Sequence, residues 1–198
     1  MLEDDPYGEL RYGGEPPPSV FSQAPAGIVY ASSFSKILAP GCRVAWVVGD
    51  RDLIRKMVIA KQGMDLCTSV VAQVLVSEYC KRGHLDGHLG KIRSHYAGKA
   101  AAMASALQAL LPAGVASWTN PQGGFFFWLQ MQSDARELFR KAADRGVAFL
   151  PGDTCYPSRD ETVGPTVEGS RHARLCFTFA QPTEIEQGVK RLADALKG

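Results

Sequence analysis

The sequence predicts an α/β segment joined by one long helix to an α+β segment. Three observations predict it. The runs Ile28 to Ala31 and Arg43 to Val48 are short, β-prone and almost continuously apolar, the pattern of strands covered on both faces. From His84 to Leu111 a helical pattern runs until Pro112 and Gly114 close it. Beyond Pro112 the texture changes to short apolar runs between turn residues, with two further helical patterns. The expected division is 1–83 for the first part, 84–111 for the joining helix and 112–198 for a small C-terminal domain.

Met1 and Leu2 read as the tail of a buried strand, so the chain opens in what looks like the middle of a domain. Ser32-Ser33 ends the strand from Ile28, and Gly49-Asp50 closes the strand from Arg43. Asp50 to Lys61 is helical, with Asp50 or Asp52 near the N-cap and Leu53, Ile54, Met57 and Val58 at helical spacing. Thr68 to Lys81 is a second helix, capped by Thr68 or Ser69. Val115 to Thr119 and Gly124 to Leu129 are strands around the turn Asn120-Pro121-Gln122-Gly123. Asp134 to Arg145 is helical, Val147 to Leu150 is a short strand, and residues 151–170, rich in Pro, Gly, Ser and Asp, form a loop of a length often tied to function. Arg174 to Phe179 is the last strand, and Thr183 caps a helix closing at Lys197.

Composition narrows the function classes. The chain has 198 residues, 45% hydrophobic and 21% charged, an ordinary globular composition. That length can bury about two-thirds of its unfolded surface without disulfides or metal. The 22 basic and 20 acidic residues leave a net charge of +2, which argues for neither nucleic acid nor an anionic membrane. Cys42, Cys67, Cys80, Cys155 and Cys176 are odd in number and scattered, with no C-x-x-C pair, so a reducing cytoplasm fits best. The opening residues Met1 to Tyr7 lack the basic and apolar regions of a signal peptide. The longest uncharged run, Ala100 to Trp118, holds Ser105, Gln108, Pro112 and Gly114 and reads as a helix entering a loop, not a membrane span.

Three constellations carry chemistry. In Asp4-Asp5-Pro6-Tyr7 an acid follows a strand with a phenol three positions on; the pair could address one ligand, or form a capped turn. In Ser33-Phe34-Ser35-Lys36, followed by Gly41-Cys42-Arg43, two hydroxyls and a guanidinium suit a phosphate, and the lysine could bond an aldehyde. The alternative is a solvated Lys36 and a paired Arg43. A Ser33-x-x-Lys36 pattern is formally present, but the S-D-N and K-T-G motifs that accompany it in β-lactamases are absent. Arg174 sits in an apolar strand, which is costly without an anion: a substrate carboxylate or a buried acid would serve equally.

Taken together, Glu3 to Tyr12, Ser32 to Arg43, Pro121 to Phe125, Pro151-Gly152 and Arg174 to Phe177 resemble the fold-type I pyridoxal-phosphate enzymes, class I/II aminotransferases. The likeness is strongest to 2-aminoadipate and aromatic aminotransferases and to the aminotransferase-like domains of MocR-type regulators, and it extends over the whole chain. It implies that the first part is the end of a large cofactor-binding domain. Asp4 would pair with the cofactor's pyridine nitrogen and Tyr7 would donate to its phenolic oxygen. Ser33, Ser35 and Arg43 would hold the phosphate of pyridoxal 5'-phosphate. Lys36 would bond the cofactor and move the proton of the reaction; burial and a neighbouring Arg43 would favour its neutral form. Arg174 would clamp the substrate carboxylate, and Gly123-Gly124 would let backbone approach the site.

The resemblance further implies transfer of an amino group between an L-amino acid and a 2-oxo acid, by a homodimer whose active sites are shared. Members are about twice as long, so this chain is expected to be a C-terminal fragment with catalysis lost or severely impaired. The alternative expectation is the effector-sensing part of a MocR-type transcription regulator. Other features read as structural. His84 and His88 have zinc-compatible spacing but lack the H-E-x-x-H glutamate. Lys81, Arg82, Lys91, Arg93 and Lys99 make a solvated basic face. Phe125 to Trp128 read as core strand, although one of these rings could line a substrate pocket.

Overall fold

A computed structural model describes residues 1–157 and 169–197 of the chain. Two compact units divide it, Met1–Ser94 and His95–Gly198.

The first unit is built on β1 (Leu2–Asp4), β2 (Val29–Ser33) and β3 (Ala45–Val48), in the order β1-β2-β3. β1 runs parallel to β2, with Asp4 opposite Ala31, and β3 runs antiparallel to β2, with Ser33 opposite Ala45. The short helix α1 (Val20–Gln23) is tied to β1, because the Glu3 carboxylate accepts hydrogen bonds from the Val20 and Phe21 amides at 3.0 and 2.8 Å. Helix α2 (Arg51–Asp65) starts at Asp50, whose side chain accepts from the Asp52 and Leu53 amides. Helix α3 (Val70–Lys81) takes Ser69, not Thr68, as its cap. Helix α4 (His84–Leu110) begins in this unit and continues past its boundary. Leu10, Ile28, Ile37, Val76 and Leu89 are its buried apolar side chains.

Two expectations are corrected here. The strands are not covered on both faces: Leu2 is 67% exposed, and Val47 and Val48 are also open to solvent. Helix α2 buries none of its residues, and its predicted apolar stripe of Leu53, Met57 and Val58 faces solvent. β3 also starts later than Arg43. A 3-10 turn over Pro40–Cys42 ends with Arg43 in the left-handed region, at φ 52°, which is incompatible with a strand.

The second unit is organised around β4 (Ala116–Trp118), β5 (Phe126–Met131), β6 (Leu150–Pro151) and β7 (His172–Cys176), in the antiparallel order β4-β5-β7-β6. Period-two alternation buries Phe127, Leu129 and Met131 on β5 and Ala173 and Leu175 on β7. Phe127 meets Phe177 edge-on at 5.9 Å. Helix α5 (Ala135–Ala143) is capped by Asp134, and helix α6 (Pro182–Lys197) buries Ile185, Val189, Leu192 and Ala193 at helical spacing. Among the described residues, no helix is long and apolar enough to cross a membrane.

Here too some expectations shift. The strand expected over Val147 to Leu150 is Leu150–Pro151, and the last strand is His172–Cys176, which starts two residues and ends three residues earlier than read. Thr183 lies inside α6, which starts at Pro182; instead Glu184 reaches back to the Gln181 amide at 2.7 Å. Part of the loop expected over 151–170 is a 3-10 turn, Gly152–Cys155, and its residues 158–168 lie outside the described residues. Gly124 has φ 71°, and a Cβ there would meet nothing within 4 Å, so the backbone angle rather than close approach calls for glycine.

Two predictions follow from burial. Phe127→Ala should destabilise the chain by about 3–5 kcal/mol, whereas Ile59→Gln should change stability by less than about 0.5 kcal/mol, as read from denaturant unfolding. Burial pushes the Tyr12 phenol up from 10.0 to about 12. The native state therefore holds this proton more tightly than the unfolded chain, and the Tyr12 contribution should be complete below pH 10 and lost as pH rises toward 12. Unfolding midpoints at stepped pH check this, with Tyr12→Phe flattening the fall.

Candidate functional site

In the first unit, the predicted residues gather at one end of the β1–β2 pair. The two strands are parallel, so both end on the same side, and ligands of open α/β sheets sit at the carboxyl ends of such strands. β1 delivers Asp4 there, and β2 delivers Ser33.

Register sorts the two neighbouring acids onto opposite faces. Asp4 pairs with Ala31, and Ala31 and Ser33 are two apart on β2, so Asp4 and Ser33 share a face. Asp4 is exposed. Asp5 follows on the other face with Tyr30 and Ser32. Its amide donates to the Ala31 carbonyl at 2.8 Å, its own carbonyl accepts from Ser32 Oγ at 2.7 Å, and its carboxylate accepts from the Tyr30 hydroxyl at 3.1 Å. The Tyr30 phenol is raised above its ordinary value, first by burial and then by the Asp5 hydrogen bond. Tyr7 is half-buried and immediately precedes the 3-10 turn Gly8–Leu10, where its carbonyl accepts from the Leu10 amide at 2.8 Å.

After β2 the chain turns tightly. The Phe34 carbonyl accepts from the amides of Leu38 and Ala39 at 2.9 and 3.0 Å, and the Phe34 ring packs on Trp46 at 4.9 Å. Within this turn Ser33 Oγ accepts from the Ser35 amide at 3.3 Å, and Arg43 Nη1 donates to Ser35 Oγ at 3.4 Å. A second hydrogen bond, from Arg43 Nη1 to the Pro40 carbonyl at 3.2 Å, steadies the guanidinium. Ser33, Ser35 and Arg43 are therefore brought together, and no carboxylate among the described residues pairs with Arg43. Two hydroxyls beside an uncompensated guanidinium make an anion cradle. Lys36 lies in the same turn. It is exposed, not partly buried as expected, because neither the turn nor β3 covers it.

Arg174 belongs to the second unit. On β7 it stands opposite Trp128 of β5 and Leu150 of β6, and its guanidinium lies over the Phe126 ring, 4.2 Å from the centroid. Among the described residues it forms no ion pair. The buried acid of this unit, Asp153, is held by Arg136 at 2.5 Å instead.

Sequence reasoning missed Asp5, Tyr30 and Ser32 as a unit. The signal was present: Tyr30 and Ser32 are polar and two apart, alternating with apolar Val29 and Ala31. Lys99, expected on a solvated basic face, is instead buried and donates to the Thr178 and Phe179 carbonyls at 2.6 and 3.4 Å; contacts so distant in sequence leave no local pattern. His84 and His88 both pack around the Tyr79 ring, at 5.4 and 6.4 Å.

Known proteins share this architecture. The family model "Aminotransferase class I and II" matches residues 1–192. Aromatic-amino-acid aminotransferase 1 of Thermococcus litoralis is 41% identical over 100% of this chain and 46% of its own length. The crystal structure of Pyrococcus horikoshii kynurenine aminotransferase, in complex with PMP and with KYN and KYA as substrates and products, superposes with a TM-score of 0.91 at 41% identity, covering 99% of this chain and 47% of that one. A helix-turn-helix-type transcriptional regulator of Bacillus subtilis, YdfD, is 28% identical over 100% of this chain and 39% of its own length. The chain thus spans about half the length of the curated relatives it matches. With the anion cradle, the strand-end acid and the family match over residues 1–192 in hand, the chain belongs to the class I and II aminotransferases.

Proposed function

We propose that this chain carries the cofactor-holding and carboxylate-binding residues of a pyridoxal-phosphate aminotransferase, acting on an L-amino acid and a 2-oxo acid. The observation that carries the reading is the convergence of Ser33, Ser35 and Arg43 in the Lys36 turn, at the strand end that also presents Asp4. The donor set fits the cofactor. Two hydroxyls and a guanidinium suit a phosphate dianion, an exposed carboxylate suits a protonated ring nitrogen, and an exposed amine suits an aldehyde. When bound, pyridoxal phosphate supplies an electron-withdrawing ring that acidifies the substrate Cα–H and accepts the amino group.

The protein's own part divides among named groups. Ser33, Ser35 and Arg43 anchor the phosphate and so fix the ring's position. Asp4 holds a proton on the ring nitrogen, and Tyr7 orients the ring through its hydroxyl. Lys36 Nζ would hold the cofactor's aldehyde carbon and, when free, would carry the proton from the substrate Cα to the carbon one position away. Arg174 orients the substrate through its α-carboxylate; a guanidinium offers two parallel donors, whereas an aromatic ring is a weak resident partner and leaves those donors available.

The division into a cofactor-binding part over 1–83, a joining helix over 84–111 and a small domain over 112–198 belongs to the same reading. So does a homodimer, which sedimentation velocity tests. A cytoplasmic location fits the five free cysteines. A second reading, the effector domain of a MocR-type regulator, is favoured by the similarity to YdfD and would use the same cofactor residues.

Two measurements test the proposal. Pyridoxal phosphate added to the purified chain should give a yellow band that borohydride fixes onto Lys36, and Lys36→Ala should abolish it; a band of equal strength in the variant would sink the assignment. Replacing Arg174 by Ala should weaken binding of an amino acid or 2-oxo acid by about 1.5–3 kcal/mol, ten-fold or more in Kd, by calorimetry. An unchanged Kd would place the carboxylate elsewhere.

A further inference from the structure

We propose that Asp5 is the positioning residue of the cofactor site: it locks the end of β1 so that Asp4 faces the Ser33 side and Tyr7 is held at the following turn. This rests on the reading of the first unit as the pyridoxal-phosphate site. Asp5 touches neither the anion cradle nor Lys36. Its partners Tyr30 and Ser32 lie on the opposite face of the sheet, and it is locked at three points.

The first lock is the backbone. The Asp5 amide donates to the Ala31 carbonyl at 2.8 Å, extending the parallel ladder by one step beyond β1. The second is on β2, where Ser32 Oγ donates to the Asp5 carbonyl at 2.7 Å and the Tyr30 hydroxyl donates to its carboxylate at 3.1 Å. The third is ahead in sequence. A Cβ built at Gly8 would collide with the Asp5 carboxylate, so that carboxylate packs directly on the turn Gly8–Leu10. Tyr7 is thus bracketed, with Asp5 fastened to β2 on one side and Gly8 fitted against the Asp5 carboxylate on the other. Pro6, with its fixed φ, leaves the intervening link little freedom.

The two acids therefore divide the work. A strand alternates faces at every residue, so fastening Asp5 to the Tyr30 side obliges Asp4 to the Ser33 side. Asp5 acts through the backbone and through Tyr7, not by contact with the cofactor.

The test is the affinity of the full chain for pyridoxal phosphate, read from visible absorbance, in wild type, Asp5→Ala, Asp5→Asn, Gly8→Ala and the double variant Asp5→Ala/Gly8→Ala. Asp5→Ala and Gly8→Ala should each weaken binding about ten-fold or more. Asp5→Asn keeps an oxygen acceptor for Tyr30 and should stay within about three-fold of wild type. The double variant should bind no more weakly than Asp5→Ala, because without the carboxylate the added methyl has nothing to strike. Wild-type affinity in Asp5→Ala, or losses that add in the double variant, would overturn the inference while leaving the cofactor site standing. Absence of any Lys36-dependent binding in wild type would overturn both. If Asp5→Ala does not fold, Tyr30→Phe removes only the phenol's hydrogen bond; it should weaken binding about three-fold with an unchanged circular dichroism spectrum, and undiminished affinity there would equally overturn the inference.

Discussion

The parallel pairing of β1 with β2, in the register that sets Asp4 opposite Ala31, is the constraint on which the rest of the first unit depends. Two acids stand side by side at the end of β1, and a slip of one residue would exchange their faces. The Asp5 carboxylate would then lie beside Ser33, and Asp4 would stand beside Tyr30. Main-chain hydrogen bonds alone do not prevent such a slip, because they are repeated at every step. The Glu3 side chain does, because a slip would carry it to the other face and away from the Val20 and Phe21 amides that it holds.

The same economy holds in the turn that follows β2. Within eleven residues the chain presents two hydroxyls, an amine and a guanidinium, and ties the hydroxyls and the guanidinium with bonds no longer than 3.4 Å. None of these groups needs a distant element to bring it into place. That locality made the cradle readable from the sequence: Ser33, Ser35, Lys36 and Arg43 are close in the chain and remain close in space. The separation of Asp4 from Tyr7 was readable for the same reason.

What stayed hidden was decided by long-range geometry. Asp4 and Asp5 are chemically identical, and only strand pairing assigns them different surroundings. The left-handed backbone at Arg43 has no signature in an arginine, so the strand was read two residues too early. Arg174 was read as costly on an apolar strand without an anion, and among the described residues its guanidinium lies over the Phe126 ring. In the second unit the alternation over Phe126–Met131 was plain, because one face is buried. In the first unit the apolar runs were equally plain, but hydrophobicity tells that a face should be covered and not whether it is. The open flanks of β3 and α2 show the difference.

The backbone of Arg43 carries a consequence of its own. Glycine would occupy that left-handed turn without penalty, whereas an L side chain there costs about 1–2 kcal/mol. A sequence optimised only for the folded state would place glycine at this position, and one already stands two residues earlier, at Gly41. The chain instead keeps a guanidinium where its own backbone resists one. That strain is offset within the turn itself, where the guanidinium donates to Ser35 Oγ and the Pro40 carbonyl, so glycine at position 43 would relax the backbone only by giving up both bonds.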